Sequence, residues 1–334
     1  MLTNPKEIAP FHIDFIHMSS LPEVQHMPVT EVEGRRLKLS NLDKVLWPEQ
    51  GFTKGEALHY YAQVADVLLP HVRDRAASFL RFPDGVDGQR FFAKNAPAGT
   101  PEWVSTVDVE LTRSTVHHVL VQDLPTLLWA ANLAALELHV PQWKALDPGA
   151  KKAAGAVRAD ERLADRIVFD LDPGPPATVV ECCRAALLVR EALRADGLDA
   201  WPKTSGSKGL HLYVPLAPAS AEDTSAYAKS LARRLEQEHP ELILHRMARK
   251  LRPRKVFVDW SQNSRAKTTV APYVLRAKAR PTVSTPLTWD EVEACGDPDE
   301  LVFLPGDVLE RIGTHGDLLE PLLGDHFDLP DMTD

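Results

Sequence analysis

Two aspartates stand one residue apart at the end of an apolar run, in IVFDLDPG (Ile167–Gly174). Side chains alternate along a strand, so Asp170 and Asp172 share a face with Val168, while Ile167, Phe169 and Leu171 take the other. At ~3.3 Å per residue their Cα atoms lie roughly 6.5–7 Å apart. Carboxylates that close repel unless a cation neutralises them, and hard oxygen donors suit Mg²⁺ or Mn²⁺, which also take phosphate oxygens. A lone D-x-D is better read as Asp172 starting a turn before Pro173-Gly174 while Asp170 pairs with an arginine. Two further stretches shift that balance. KVFVDW (Lys255–Trp260) is a second β-like run and carries Asp259 near its end. As a neighbour of the first strand it completes a three-carboxylate cluster able to hold two metals around a triphosphate. Between them, TSGSKGLHLYVPL (Thr204–Leu216) joins a Ser/Gly loop with Lys208 to a strand on which His211 and Tyr213 share a face. Small residues let backbone N–H groups approach phosphates, and Lys208 adds a point charge. The G-x-x-x-x-G-K-[ST] spacing is absent and a strand follows, so this is not a Walker A loop. Carboxylates for metals plus a loop for phosphates point to nucleotidyl or phosphoryl transfer.

The elements that must position these groups are legible in outline. Thr53 and Glu56 form a capping-box pattern that opens a helix through Leu69, where Pro70 stops it. A second helix is predicted from Asp123 through Leu138, and 145–165 reads as a surface loop or linker. After it come strand 166–171, helix 178–196 closed by Gly197, strand 209–216, helix 222–238 stopped by Pro240, and strand 255–260. Strands alternating with helices imply an α/β sandwich on a mixed sheet.

Length and charge bound the partners. The 334 residues can bury a large core as one big domain or two smaller ones. No run is long and apolar enough to cross a membrane, and the N-terminus lacks a secretory pattern. Three cysteines, two of them adjacent (Cys182 and Cys183), give neither a disulfide framework nor a C-x-x-C knuckle, so a reduced, cytoplasmic protein is expected. The net charge of -9 resides at one end: Asp297 to Asp334 holds eleven acids against the single basic Arg311. The rest is near neutral and contains the dense cluster Arg246 to Lys255. Local patches steer polyanions, so the acidic total does not exclude DNA.

Six stretches in order resemble one family: LSNLDKVLWP (39–48), LELHVPQW (136–143), VFDLDPG (168–174), TSGSKGLHLY (204–213), VFVDWSQN (256–263) and KTTVAPYVLR (267–276). Together they are similar to the polymerase domain of bacterial ligase D, a branch of the archaeo-eukaryotic primase superfamily, from about Leu37 to Leu319. The resemblance implies an α/β (α+β) primase-polymerase fold with central mixed or antiparallel sheets flanked by helices. It divides the chain into an N-terminal extension (1–33), a catalytic domain (34–320) and an acidic tail (321–334). No ligase or nuclease domain follows, so a stand-alone form is expected.

The same resemblance implies roles. Asp170, Asp172 and Asp259 match the family's catalytic, metal-binding aspartates, with Mn²⁺ or Mg²⁺ in a two-metal site. His139, Ser205, Lys208, Gln262 and Arg276 fall where the family grips the incoming nucleotide. Asn41, Lys44 and Lys54 fit its pocket for the 5′-phosphate across a DNA gap. Phe91 and Phe92 match aromatics that stack near the template and the incoming base. Adjacent strand residues face opposite ways, so at most one of the two is expected to stack while the other anchors. Arg252 matches an arginine of the basic loop beside the active site. Leu80 departs from the pattern, standing where members often carry a basic residue. The implied function is a nucleotidyltransferase that fills short gaps in DNA repair by end joining. Gapped DNA, ribo- or deoxynucleoside triphosphates, Ku and a separate DNA ligase are its expected partners, with a nucleoid-associated location and a preference for ribonucleotides. Two other readings use the same residues: a metal-dependent nuclease or phosphatase, and a non-catalytic module that bridges DNA ends.

Overall fold

The computed structural model describes residues 29–111, 114–146, 150, 155–324 and 326–330. Two hairpins begin this region, β1 (Val29–Val32) with β2 (Arg35–Lys38) and β3 (Val45–Trp47) with β4 (Phe52–Thr53). The first hairpin turns at Glu33 and Gly34, both in the left-handed region, so the boundary at residue 33 falls inside it.

Helix α1 (Lys54–Val72) starts as expected. The Thr53 hydroxyl accepts from the Glu56 N–H, and Glu56 reaches back to the Thr53 N–H at 2.7 Å. Pro70 does not stop it. The missing N–H falls in the last turn, where few intrahelical bonds remain to lose, and the Arg73 N–H closes on the Leu69 carbonyl. The larger sheet follows: β5 (Ala76–Arg81), β6 (Phe91–Ala93), β7 (Thr106–Leu111), β8 (Ser114–Leu120), β9 (Ala135–Val140) and β10 (Val157–Arg158), with β16 (Thr269–Val270) added from far along the chain. Its path runs β10-β7-β8-β5-β9-β16, and β6 pairs with β5.

Helix α2 (Leu124–Asn132) corrects the prediction that it continues to Leu138. Ala134 takes a left-handed φ of 55°, which no helix propagates, and LELHV becomes β9. The predicted linker at 145–165 is corrected too. Ala145, Leu146, Val157 and Ala159 are buried with Trp143 in a small core under β7 and β8.

The second sheet carries the aspartates. It comprises β11 (Ala164–Pro173), β12 (Trp201–Thr204), β13 (Leu210–Ala219), β14 (Ile243–Leu244) and β15 (Val256–Asp259), in the order β12-β13-β11-β15-β14. Only the β14–β15 pair is parallel. Between its strands run α3 (Val179–Ala195), capped by Thr178 and followed by Gly197 at φ 81°, and α4 (Ala221–Glu238), capped by Ser220. The hairpin β17 (Leu275–Ala277) with β18 (Pro281–Val283), then α5 (Trp289–Ala294) and α6 (Pro305–His315), complete the order.

The alternation read from the sequence sorts the second sheet's faces. Ile167, Phe169 and Leu171 pack with Leu210, Leu212, Val256 and Val258 against α3 and α4. Phe169 is fully buried, and truncating it to Ala costs about 3–5 kcal/mol. The opposite face turns towards the larger sheet. There the Tyr213 hydroxyl lies 2.9 Å from Thr269 Oγ1 of β16, and Arg75, just before β5, holds Asp165 of β11 at 2.7 Å. The two sheets are tied across their inner faces, and the candidate chemistry sits between them. No helix of the described residues is long and apolar enough to cross a membrane.

Candidate active site

Register builds the site. Asp170 pairs with Asp259 on β15 and with His211 on β13, which in turn pairs with Lys203 on β12. Directly opposed residues share a face, so Lys203, His211, Asp170 and Asp259 form one rank across four strands. Asp172 follows one step along β11 on the same side. The tight turn Trp260–Asn263 then folds back: the Asn263 amide exchanges two hydrogen bonds with the Val168 backbone, at 2.7 and 2.8 Å. This anchor aims Gln262, whose amide donates to Asp170 Oδ2 at 3.3 Å and to Asp259 Oδ2 at 3.1 Å. Ser261 donates its N–H and hydroxyl to the remaining oxygen of Asp259.

The acidities are perturbed as a crowded cluster requires. Burial pushes the Asp170 carboxyl up, against the opposing pull of Lys203 and Arg276. Burial and then the charge of Asp170 push Asp172 up, with Arg252 acting the other way. Among the described residues no three His, Cys, Asp or Glu side chains close on a common point as a metal cage. Asp172 leans to Arg252, 3.7 Å away, and Gln262 bridges the other two. The donors nonetheless fit a divalent cation: all are hard oxygens, on one face, with a mutual repulsion that such an ion relieves.

The loop after β12 is shaped by its glycines. Gly206 has φ 64°, and a Cβ there would fall 2.6 Å from Arg276 Cγ and 2.8 Å from the Ser284 nitrogen. At Gly209 it would fall 2.0 Å from the Leu171 carbonyl oxygen. Ser205 Oγ accepts from the N–H groups of Ser207 and Gly209, each at 3.2 Å, so the hydroxyl braces the loop and keeps its proton to donate. Lys208 is exposed at the tip. From β17, the Arg276 guanidinium donates to the Ser205 carbonyl, and Thr282 donates to the Gly206 carbonyl at 2.7 Å.

His139 approaches from the larger sheet. Its Nε2 lies 3.0 Å from Glu137 Oε2, and the Phe92 ring stands edge-on with centroids 6.4 Å apart. Leu80 lies between Phe92 and Glu137 in the strand register. Phe91 and Phe92 are both exposed, at 45% and 53%, which corrects the expectation that one anchors in the core. The three-residue β6 pairs on one side only, which leaves both rings about half exposed.

The remaining predicted residues form a second group at the start of α1. The Lys44 N–H bonds the Asn41 carbonyl at 3.1 Å, and the first helical N–H groups, of Lys54 and Gly55, bond the carbonyls of Lys44 and Leu42. Lys44 pairs with Asp84 at 3.1 Å. Lys54 is buried, its ammonium on the Ser40 carbonyl, and burial followed by the nearby Lys44 lowers its pKa to about 8. Arg252 spreads over the Phe257 ring, 3.9 Å from its centroid, while Arg249, Lys250 and Arg254 of the same basic stretch are exposed.

A model of the LigD primase-polymerase domain matches residues 53–319. The chain belongs to this family. Within it, the multifunctional non-homologous end joining protein LigD of Mycolicibacterium smegmatis is 42% identical over 291 residues, covering 87% of this chain and 36% of that protein. The Mycobacterium tuberculosis relative, a multifunctional non-homologous end joining DNA repair protein, is 44% identical over 292 residues, 87% of this chain and 37% of the other. The bifunctional LigD of Bacillus subtilis is 31% identical over 283 residues, covering 84% of this chain and 43% of that protein. The chain thus spans little more than a third of the mycobacterial LigD proteins. The solved polymerase domain of Mycobacterium tuberculosis ligase D, in complex with DNA, superposes with a TM-score of 0.80 at 44% identity, over 87% of this chain and 99% of that one. The LigD resemblance and the mixed α/β fold expected from the sequence are therefore correct. The motif reading passed over Lys203 and Glu137, and took His211 only as sharing a strand face with Tyr213, not as the neighbour of Asp170. The signal for the two was an ionisable residue within a short β-like run.

Proposed function

We propose that this chain is a divalent-metal-dependent, DNA-directed nucleotidyltransferase that fills short gaps during DNA end joining and prefers ribonucleotides. The observation that carries the reading is the register setting Asp170 opposite Asp259, in a rank whose outer strand runs straight into the Ser205–Gly209 loop. Asp170, Asp172 and Asp259 would hold Mn²⁺ or Mg²⁺. When bound, such ions lower the repulsion between a primer 3′-oxygen and the triphosphate and support attack at the α-phosphorus with loss of pyrophosphate. Lys208 and Arg276 take the charge of the triphosphate, and Gln262 steadies two of the carboxylates. Phe92 faces the incoming base and Phe91 the template, and Arg252 and its exposed basic neighbours meet the DNA backbone. Asn41, Lys44 and Lys54 receive a downstream 5′-phosphate. Gapped DNA and nucleoside triphosphates are the substrates in this reading, with Ku and a separate DNA ligase as partners.

His139 and Ser205 offer hydrogen-bond partners to a ribose 2′-hydroxyl. One neutral hydrogen bond is worth about 0.5–1.5 kcal/mol and an orphaned polar group costs about 1–3 kcal/mol, so a preference of roughly 10- to 100-fold at most is expected. The test is primer extension across a gap with Mn²⁺, comparing ribo- with deoxynucleotides and a 5′-phosphate with a 5′-hydroxyl. Extension, a ribonucleotide preference, and loss of the phosphate preference in a Lys44→Ala/Lys54→Ala double variant are expected. Release of label from the DNA would favour a nuclease, and a shifted but unextended complex would favour an end-bridging module.

A further inference from the structure

We infer that Glu137 is a positioning residue that sets two nucleotide-binding side chains at once, fixing the tautomer of His139 and holding Arg276 against the phosphate loop. The inference rests on the nucleotidyltransferase reading above and refines it. Glu137 is 2% exposed in the middle of β9, a strand that otherwise buries Ala135, Leu136, Leu138 and Val140. A carboxylate is held in such surroundings only by partners that satisfy it. Three do so. The His139 Nε2 lies 3.0 Å from Oε2, the Arg276 Nε lies 3.2 Å from the same oxygen, and the Ala277 N–H donates to Oε1 at 3.0 Å. Burial works against the charge, but His139 and Arg276 outweigh it and hold the Glu137 pKa down to about 2.

An ionised carboxylate only accepts hydrogen bonds, so His139 Nε2 must carry a proton. In the neutral ring Nδ1 is then an acceptor. An acceptor attracts a hydroxyl and repels phosphate oxygens, which points His139 to the sugar and leaves the phosphates to Arg276 and Lys208. Arg276 is tied to the same oxygen and to the Ser205 carbonyl, so one buried acid links the sugar-facing and phosphate-facing groups.

The test is Glu137→Gln, which keeps the shape and removes the charge. Gap filling in Mn²⁺ is measured with ATP and dATP, alongside equilibrium titration of each nucleotide. Expected are a KM for ATP raised about tenfold, a kcat within about threefold of wild type, and an ATP-to-dATP ratio falling towards one. On a His139→Ala background the same change should lower that ratio no further. An unchanged KM and ratio, or an equal loss of ratio on both backgrounds, overturns the inference. Should Glu137→Gln not fold, His139→Gln supplies the second variant: it keeps a donor near the Nε2 position and has no Nδ1. A ratio near one supports the inference, and a wild-type ratio overturns it. Failure of the wild type to extend a primer would instead remove the nucleotidyltransferase reading, while the titration would still report on Glu137.

Discussion

Two sets of carboxylates lie between the sheets, and the protein treats them in opposite ways. Asp165 and Glu137 are saturated. Asp165 receives Arg75 at 2.7 Å and Arg166 at 3.2 Å, and these charges hold its pKa below the usual carboxylate range although burial works the other way. Asp170 and Asp259 share one amide from Gln262, Asp259 also accepts from Ser261 in its own turn, and His211 and Arg252 approach Asp170 and Asp172 only to 3.4 and 3.7 Å. Burial raises Asp170 and Asp172, and the charge of Asp170 adds to the rise at Asp172. A fold that pairs Asp165 fully with arginines and leaves Asp170 and Asp172, a few residues along the same strand, without a close ion pair sets carboxylates that hold the structure apart from those that the proposed reading leaves for a ligand.

The sharpest way to break that distinction is charge removal in each set. Asp170→Asn or Asp259→Asn should lower primer extension by about a thousandfold or more, roughly 4 kcal/mol of barrier at 1.36 kcal/mol per decade, while the melting temperature holds or rises. Robust extension by Asp259→Asn would assign that carboxylate to the turn it caps. Asp165→Asn should do the reverse. It orphans the fully buried Arg75, so unfolding in urea should come about 3–5 kcal/mol more easily. A variant as stable as wild type would show that water replaces the ion pair.

Metal sharpens the contrast further. Mn²⁺ at about 100 times its Kd should stabilise wild type by about 2.7 kcal/mol. Asp170→Asn should lose this and Asp165→Asn keep it. Equal stabilisation of all three would place the ion elsewhere.

The smallest effect lies in pH. The raised acidities of Asp170 and Asp172 favour the protonated folded form, so their contribution is present in acid and is lost as pH climbs from the ordinary carboxylate range towards neutrality. Glu137 is depressed, and its contribution is present above the ordinary range and is lost as pH falls towards about 2. Metal-free melts should therefore show the slope towards neutrality flattened in Asp172→Asn, by less than about 1 kcal/mol because this side chain is half exposed. A profile parallel to wild type would contradict the assignment.

Much of this site was legible in the sequence because strand alternation is a rigid rule. The D-x-D pair, its shared face and the Asp259 strand follow from a period of two, and the Ser/Gly loop from residue size. What failed were boundaries decided by single backbone angles. Nothing in LAALELHV distinguishes a continuing helix from a strand until Ala134 turns left-handed. Pro70 is a stop signal whose force depends on how much helix remains to be broken. Glu137 and Lys203, and the place of His211 opposite Asp170, were missed for another reason. Each is a polar residue in an apolar strand whose importance rests on what stands opposite it, and sequence separation hides such partners: Arg276 is 139 positions away from Glu137 and carries no local mark of the pairing.

The rank Lys203–His211–Asp170–Asp259 also fixes where this sequence can change length. All four residues meet through strand register alone, so adding or deleting one residue inside β11 or β15 would turn a carboxylate to the opposite face, and inside β13 would turn His211 away, without changing any side chain in the rank. The loops on either side of α3 and the stretch from His245 to Ala248 lie outside the strand registers and bear no such constraint. Natural relatives of this chain should therefore gather their insertions and deletions in those connections, with unbroken strand lengths on either side.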